Sequence, residues 1–191
     1  MTRPEYRPRN GKARSFICTH FLAGIALATA MVFSGVDSTW REMSHSLENA
    51  EETAVAFALG PFMWIVLFAG MFTAAIANLA RPAVHKRLMV LATIAIMPPT
   101  VGHAFFSILI GDGPGLRPGL AGPGPLEALA VFALIADFLI LAAIVFDWRR
   151  LGRPHKAYLI GGTVMVLAQI AVVPLGSSGA WEAIARTISG L

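Results

Sequence analysis

The stretch LEALAVFALIADFLILAAIVFDW, residues 126–148, followed by the basic turn RRLGRPHK, residues 149–156, decides the fold class of this chain. A helix needs about 20 apolar residues, at 1.5 Å per residue, to cross the ~30 Å hydrocarbon core of a bilayer, and this stretch is long enough. Its apolar residues are continuous rather than alternating, and backbone groups in lipid must be hydrogen-bonded within their own segment. The stretch therefore predicts a membrane-spanning helix that ends in a cationic turn.

Further apolar stretches of the same character occupy residues 16–35, 54–79, 88–110 and 157–175. The 191 residues are 56% hydrophobic and 14% charged, whereas a soluble domain carries roughly 25% charged residues. The first stretch is too long for the apolar region of a cleaved signal peptide. The sequence thus predicts an all-α transmembrane helical bundle of five spans over residues 16–175. A basic segment, 1–15, precedes it, and an amphipathic tail, 176–191, follows it.

The cationic residues lie at alternate ends of these stretches. They form three clusters: Arg3, Arg7, Arg9, Lys12 and Arg14; Arg81, Lys86 and Arg87; and Arg149, Arg150, Arg153 and Lys156. Short loops rich in Lys and Arg stay in the cytoplasm, which predicts a cytoplasmic N-terminus and an outer C-terminus in a bacterial inner membrane. Since membrane-flanking clusters without interleaved aromatic residues explain the net charge of +4, no nucleic-acid partner is predicted. The predicted partners are the lipid bilayer and other membrane proteins.

Two outer segments carry apolar residues at helical spacing, which predicts interfacial amphipathic helices. Their apolar stripes are Trp40, Met43 and Leu47, and Trp181, Ile184 and Ile188. Inside the third span, Pro98 and Pro99 predict a kink, because proline removes a backbone donor. Small residues within the spans, among them Gly70 and Gly161, predict close helix packing.

Three histidines from three different helices are predicted to share one depth in the membrane. His85 and His155 open the third and fifth spans at the cytoplasmic face, and His20 lies about one turn inside the first span from that face. Imidazole is a common ligand of metal ions and haem iron, so His20, His85 and His155 are candidate ligands of a haem b or a metal ion. His103 lies about 27 Å beyond His85 by helix rise and cannot serve the same iron. The alternative is that each histidine caps a helix or meets lipid headgroups.

Asp137 lies near mid-membrane in the fourth span, where a carboxylate costs a few kcal/mol or more. Such residues face the bundle interior and find a partner there, and Gln169 and Asn78 are the candidates in this chain. One interpretation is a proton relay or a substrate contact. The other is a hydrogen bond between helices that fixes their packing.

A second acidic residue, Asp147, closes the fourth span beside Arg149 and Arg150. A carboxylate next to two cations at a helix end predicts a local ion pair that anchors this end. We interpret Asp147 as structural.

Two motifs carry a resemblance to known proteins. The first is His85-Lys86-Arg87-Leu88-Met89, followed by the sequence LATI at residues 91–94, and the second is the turn Gly152-Arg153-Pro154-His155. Over roughly residues 78–162 the chain resembles a group of bacterial multi-pass membrane proteins of uncharacterised activity. It has a fainter similarity to small helical proteins that assist cytochrome oxidase assembly, which implies haem or copper as a possible cofactor.

Motifs of the familiar enzyme classes are missing from the sequence, including the P-loop, GxSxG and HExxH, and the single cysteine excludes an internal disulfide. The sequence therefore favours a non-enzymatic accessory or assembly component of a membrane complex. One alternative is a haem- or metal-binding redox protein that uses the three histidines. A second is a small proton-linked transporter centred on Asp137.

Overall fold

The computed structural model describes residues 19–30, 50–109 and 126–189. Every regular element in these ranges is a helix, which confirms the all-α prediction for this part of the chain. The helices are α1 (Thr19–Ala30), α2 (Ala50–Ala77), α3 (Pro82–Ala95), α4 (Pro98–Leu109), α5 (Leu126–Leu151), α6 (Lys156–Gly176) and α7 (Gly179–Ser189).

Three of the described helices are long and apolar enough to cross a membrane. Their candidate spans are Val55–Ala77 in α2, Leu129–Leu151 in α5 and Lys156–Gly176 in α6. Only 33–39% of the residues in each apolar window are buried inside the bundle, so the remaining residues are partly or fully exposed at its surface. This is the surface that a membrane protein presents to lipid, because lipid, rather than a protein core, covers it.

The predicted third span is wrong as a single helix. α3 ends at Ala95 and α4 begins at Pro98, with Ile96 and Met97 between them. Proline has no N–H, so Pro98 cannot donate to the Ile94 carbonyl, and Met97 donates to it instead at 3.0 Å. The expected kink is thus a complete interruption of the helix. The first predicted span is described only as α1, and five crossings remain a prediction.

The main core forms where α2, α3, α5 and α6 meet. Leu91 of α3 and Met165 of α6 are fully buried at its centre. Gly161 of α6 permits this approach, because a Cβ atom there would collide with Cδ1 of Leu91. At Gly162 a Cβ atom would lie 3.1 Å from Ile140 of α5. Close packing at Gly161 is as predicted, whereas Gly70 of α2 has no atom within 4 Å of such a Cβ atom.

Aromatic rings join α1 to the bundle. Phe21 of α1 stacks on Phe72 of α2, with ring centroids 4.4 Å apart, and its ring is 6.1 Å from that of Phe68. α1 therefore packs alongside α2 at this point.

The last helix, α7, packs one of its faces on the start of α2. Trp181 and Ala185 are buried, and the Trp181 Nε1–H donates to the Val55 carbonyl at 2.8 Å. Ile184 and Ile188 are about half exposed, at 51% and 49%. The stripe predicted from Trp181, Ile184 and Ile188 is therefore divided between the bundle and the outside. The other predicted stripe, Trp40 to Leu47, lies outside the described residues.

Candidate functional site

The two cationic turns lie at the same end of the bundle, because an ion pair joins the helices beside them. Arg87, near the start of α3, donates from Nε to Oδ2 of Asp147, near the end of α5, at 2.6 Å. It also donates from Nη2 to Oδ1 at 2.9 Å. Such a two-bond contact has one geometry only, so it fixes the start of α3 against the end of α5. The turns at residues 78–81 and 152–155 adjoin these helix ends, so both turns lie at the same end of the bundle.

This pair corrects the predicted role of Asp147. The carboxylate does not pair with Arg149 or Arg150 of its own helix, which are both exposed. Asp147 is 5% exposed and faces the core, where Arg87 approaches it from α3. A bidentate bond out of water outweighs a screened contact at the surface.

Further contacts hold the Arg87 guanidinium in place. Nη1 donates to the Ala83 carbonyl, and the guanidinium lies over the Tyr158 ring of α6, 5.9 Å from its centroid. That distance allows a cation–π interaction. The hydrogen bonds that Arg87 donates to Asp147 raise the pKa of Arg87 above its already high ordinary value. Arg87 is therefore a permanent cation that binds three helices together.

His155 caps the start of α6. Its Nδ1 accepts a hydrogen bond from the Ala157 N–H at 3.1 Å, so the neutral ring carries its proton on Nε2. Burial lowers the pKa of His155, and the nearby Arg87 cation lowers it further. Metal binding through Nε2 would move the proton to Nδ1 and break the cap. The structure thus gives His155 the helix-capping role that was the alternative to ligation.

His85 has the opposite arrangement of its ring nitrogens. Its Nδ1 lies 2.8 Å from the Ala75 carbonyl, and since a carbonyl only accepts, Nδ1 is the donor. Nε2 of the neutral ring then holds a lone pair, as in histidines that bind metals while a carbonyl orients them. Of the predicted ligands, His85 has the ring state that ligation requires.

Ligation by the three predicted histidines stays a prediction. No three His, Cys, Asp or Glu side chains in the described residues lie close enough to hold a metal ion, and His20, His85 and His155 are all within that part of the chain. A haem needs only two axial ligands. A haem held by a pair of these histidines stays a prediction. His103 lies in α4, and its side chain is outside the described residues.

The bundle core holds one polar pair. Gln169 of α6 donates from Nε2 to Oδ1 of Asp137 on α5 at 3.4 Å, and the two residues are 2% and 7% exposed. Asp137 Oδ2 and Gln169 Oε1 are buried without a hydrogen-bond partner in the described structure. Asn78, the other predicted partner, instead donates to the Ala74 carbonyl of its own helix end at 2.9 Å.

Arg87 and Tyr158 are the residues of the basic end whose roles the sequence did not reveal. They stand 60 and 11 positions from Asp147, so no spacing within one helix connects them. One signal was available: Asp147 is the only acidic residue within the sequence of the two cationic turns and their flanks, 78–87 and 147–156.

Comparison with known proteins adds no relative: no protein-family model, curated protein or solved structure matches this chain. The resemblance at residues 85–89 and 152–155 gains no support from them.

Proposed function

We propose that the chain is a multi-pass protein of the bacterial inner membrane that acts, without a catalytic site, as an accessory or assembly component of a membrane complex. Three of its polar contacts support this role because each of them joins two helices of the bundle to each other. Arg87–Asp147 joins α3 to α5, Gln169–Asp137 joins α6 to α5, and Trp181–Val55 joins α7 to α2. Polar groups used in this way build a scaffold.

The observation that carries the proposal is the outer face of α5. Large apolar side chains are exposed from residue 131 to the end of the helix, and they include Val131, Leu134, Phe138, Leu141, Val145 and Phe146. Phe138 is 66% exposed although it stands next to the buried Asp137. A helix of a partner protein can pack on such a face within the bilayer, with van der Waals contact as the driving force.

Photo-crosslinking from neighbouring residues of α5 tests this proposal. Leu141 is 55% exposed and Ile140 is 5% exposed, so the two positions lie at nearly the same depth, and only Leu141 faces the outside of the bundle. A photoreactive residue at 141 should crosslink in living cells to one discrete partner protein, and one at 140 should not. Only lipid adducts from position 141, with a protein that purifies alone, would contradict the proposal.

A second candidate function is proton-linked transport through Asp137. The observation that favours it is the pair of buried oxygens without a partner, Asp137 Oδ2 and Gln169 Oε1. An ionisable group inside a membrane-spanning helix marks many proton pathways. In proteoliposomes, Asp137→Asn should abolish proton flux, while Glu182→Gln on α7 should leave it intact. Equal flux in the two variants and the unaltered protein would exclude this candidate.

A further inference from the structure

Asp137 and Gln169 face each other at one depth in the bundle. Each lies about 20 Å from the turn at residues 152–155, by helix rise along α5 and α6 respectively. The nearest buried positions on the two helices, within four residues of Asp137 or Gln169, are apolar. They are Ala133, Ala136, Ile140, Met165 and Val172, each at most 5% exposed. The pair is therefore inside the apolar part of the bundle, away from both helix ends.

The hydrogen-bonding capacity of the two groups is complementary only if a proton is added. An ionised carboxylate has acceptors alone, and the amide oxygen of glutamine is also an acceptor. The two unpartnered atoms, Asp137 Oδ2 and Gln169 Oε1, are thus both acceptors, and no rotation of either group makes one of them a donor. A proton on Oδ2 turns one of the two into a donor for the other.

The other charged and titratable groups of these helices lie toward the helix ends. On α5 the nearest along the chain are Glu127 and Asp147, each about 15 Å away by helix rise, and both are acids; Asp147 is bonded to Arg87 of α3. On α6 they are Lys156 and Tyr158 at its start, and on α3 they are His85 and Lys86. The described part of α2 with known exposure, 55–77, has no charged residue. His103 of α4 follows Gly102, where a Cβ atom would lie against Phe132 of α5. α4 and α5 are therefore close at this point, and the effect of His103 on Asp137 is tested with a variant.

We propose that Asp137 and Gln169 form a proton-binding site, in which Asp137 holds a proton on Oδ2 and donates it to Gln169 Oε1. Together with the observed bond from Gln169 Nε2 to Asp137 Oδ1, this makes a closed acid–amide pair with two parallel hydrogen bonds. The pair is neutral, so it avoids the cost of a charge in the apolar core. It also leaves no unpaired oxygen. This inference concerns the resting state of the site and does not depend on transport.

Infrared difference spectroscopy of the full chain in lipid nanodiscs tests this site, because a protonated carboxyl group has its own C=O stretching band. At neutral pH the protein should show such a band. Asp137→Asn should remove it, and Gln169→Leu should shift it toward the position of a carboxyl group without a hydrogen bond. Glu182→Gln, which changes an exposed acid on α7, should leave the band in place.

A second measurement, the melting temperature, and one further variant separate the closed pair from other states. Asp137→Asn places an N–H where the carboxyl O–H stood, so its melting temperature should stay close to that of the unaltered protein, whereas Gln169→Leu should lower it. Replacing His103 by Gln should leave the Asp137 band unchanged. The inference is overturned if no band at neutral pH belongs to Asp137. It is also overturned if Gln169→Leu does not move the band. A band that appears only in the His103→Gln variant would overturn it as well, because it would indicate an ion pair between His103 and Asp137 in the unaltered protein. A band without proton flux would retain this site and exclude transport.

Discussion

At the scale of single residues, Arg87 is the side chain on which the basic end of the bundle depends. It contacts the Asp147 carboxylate of α5 and the Tyr158 ring of α6 while it belongs to α3. The Arg87 and Asp147 side chains are 14% and 7% exposed, so water screens their attraction little. Loss of either partner would leave the other as an unpaired charge in a mostly buried place, which is the costly case.

We expect Asp147→Asn to lower the free energy of unfolding in detergent by about 3 kcal/mol, the lower end of the range for breaking a buried pair. The matched control is Glu182→Gln, which breaks the exposed pair between Glu182 and Arg186 on α7, with side chains 45% and 40% exposed. That change should cost less than about 1 kcal/mol. Similar losses in both variants, measured by denaturant titration, would show that the Arg87 pair has no special role.

The cap at His155 gives the basic end a pH dependence. Because burial and Arg87 lower the pKa of His155 in the folded protein, the neutral ring is the form that stabilises the fold. This contribution is complete above the ordinary histidine pKa of about 6.5 and is lost as the pH falls through the lower folded-state pKa. Asn at position 155 can cap without titrating. We expect the melting temperature of the native protein to fall more than that of His155→Asn below pH 6.5, whereas parallel curves would argue against the cap.

The sequence predicted the burial of Asp137 but not the partner of Asp147. A carboxylate in an apolar run has to face inward, so position alone was informative. The choice between Arg149, Arg150 and Arg87 depended on how α3 packs against α5, and no periodicity within a helix contains that information. The same limit applies to His155: its residue type allows both ligation and capping, and only the contact between Nδ1 and the Ala157 N–H decides between them.

At the scale of elements, the chain uses proline and glycine for different purposes. Pro98 and Pro99 end one helix and start the next, which separates α3 from α4. The sequence predicted a bend there, and it could not distinguish a bend from a break, because that depends on whether other donors reach the freed carbonyls. Gly161 lies inside α6 without interrupting it, and the absence of a side chain there lets α6 approach Leu91 of α3.

We expect Gly161→Ala to destabilise the bundle by about 1–3 kcal/mol, the usual cost of overfilling a core. Leu91 is fully buried, so it has little room to move away from a new methyl group. Gly70→Ala on α2 is the control, because no atom lies within 4 Å of its Cβ position and alanine favours a helix. The melting temperature should fall for Gly161→Ala, and it should rise or stay unchanged for Gly70→Ala. An unharmed Gly161→Ala variant would mean that α3 and α6 pack less closely than described.

At the scale of the whole molecule, the ion pair between α3 and α5 decides which ends of the helices lie together. α2 and α3 meet at residues 78–81, and α5 and α6 meet at residues 152–155, on the same side of the bundle. α6 then carries the chain about 30 Å to the other end, where α7 begins. We propose that the cationic end faces the cytoplasm, since Lys and Arg favour that side.

Labelling of single cysteines tests this arrangement, and the chain has only Cys18 to remove beforehand. In a Cys18→Ser background, cysteine at Ala83 or Arg153 should react with a membrane-impermeant maleimide only after the cytoplasmic face is opened. Cysteine at Ser177, between α6 and α7, should react in intact spheroplasts. All three native residues are exposed on the bundle. Labelling of 83 and 153 from opposite sides would contradict both the ion pair and the charge rule.

The bond between Trp181 and Val55 also has a consequence for biosynthesis, because it joins positions that are 126 residues apart. The ribosome makes the start of α2 early and α7 much later, so the small cluster of Val55, Ala58, Leu59 and Val172 stays open until Trp181 arrives. A chain that stalls before α7 leaves the translocon with this apolar surface uncovered. We therefore expect a chain truncated before α7 to expose these apolar side chains and to be degraded faster than the full chain.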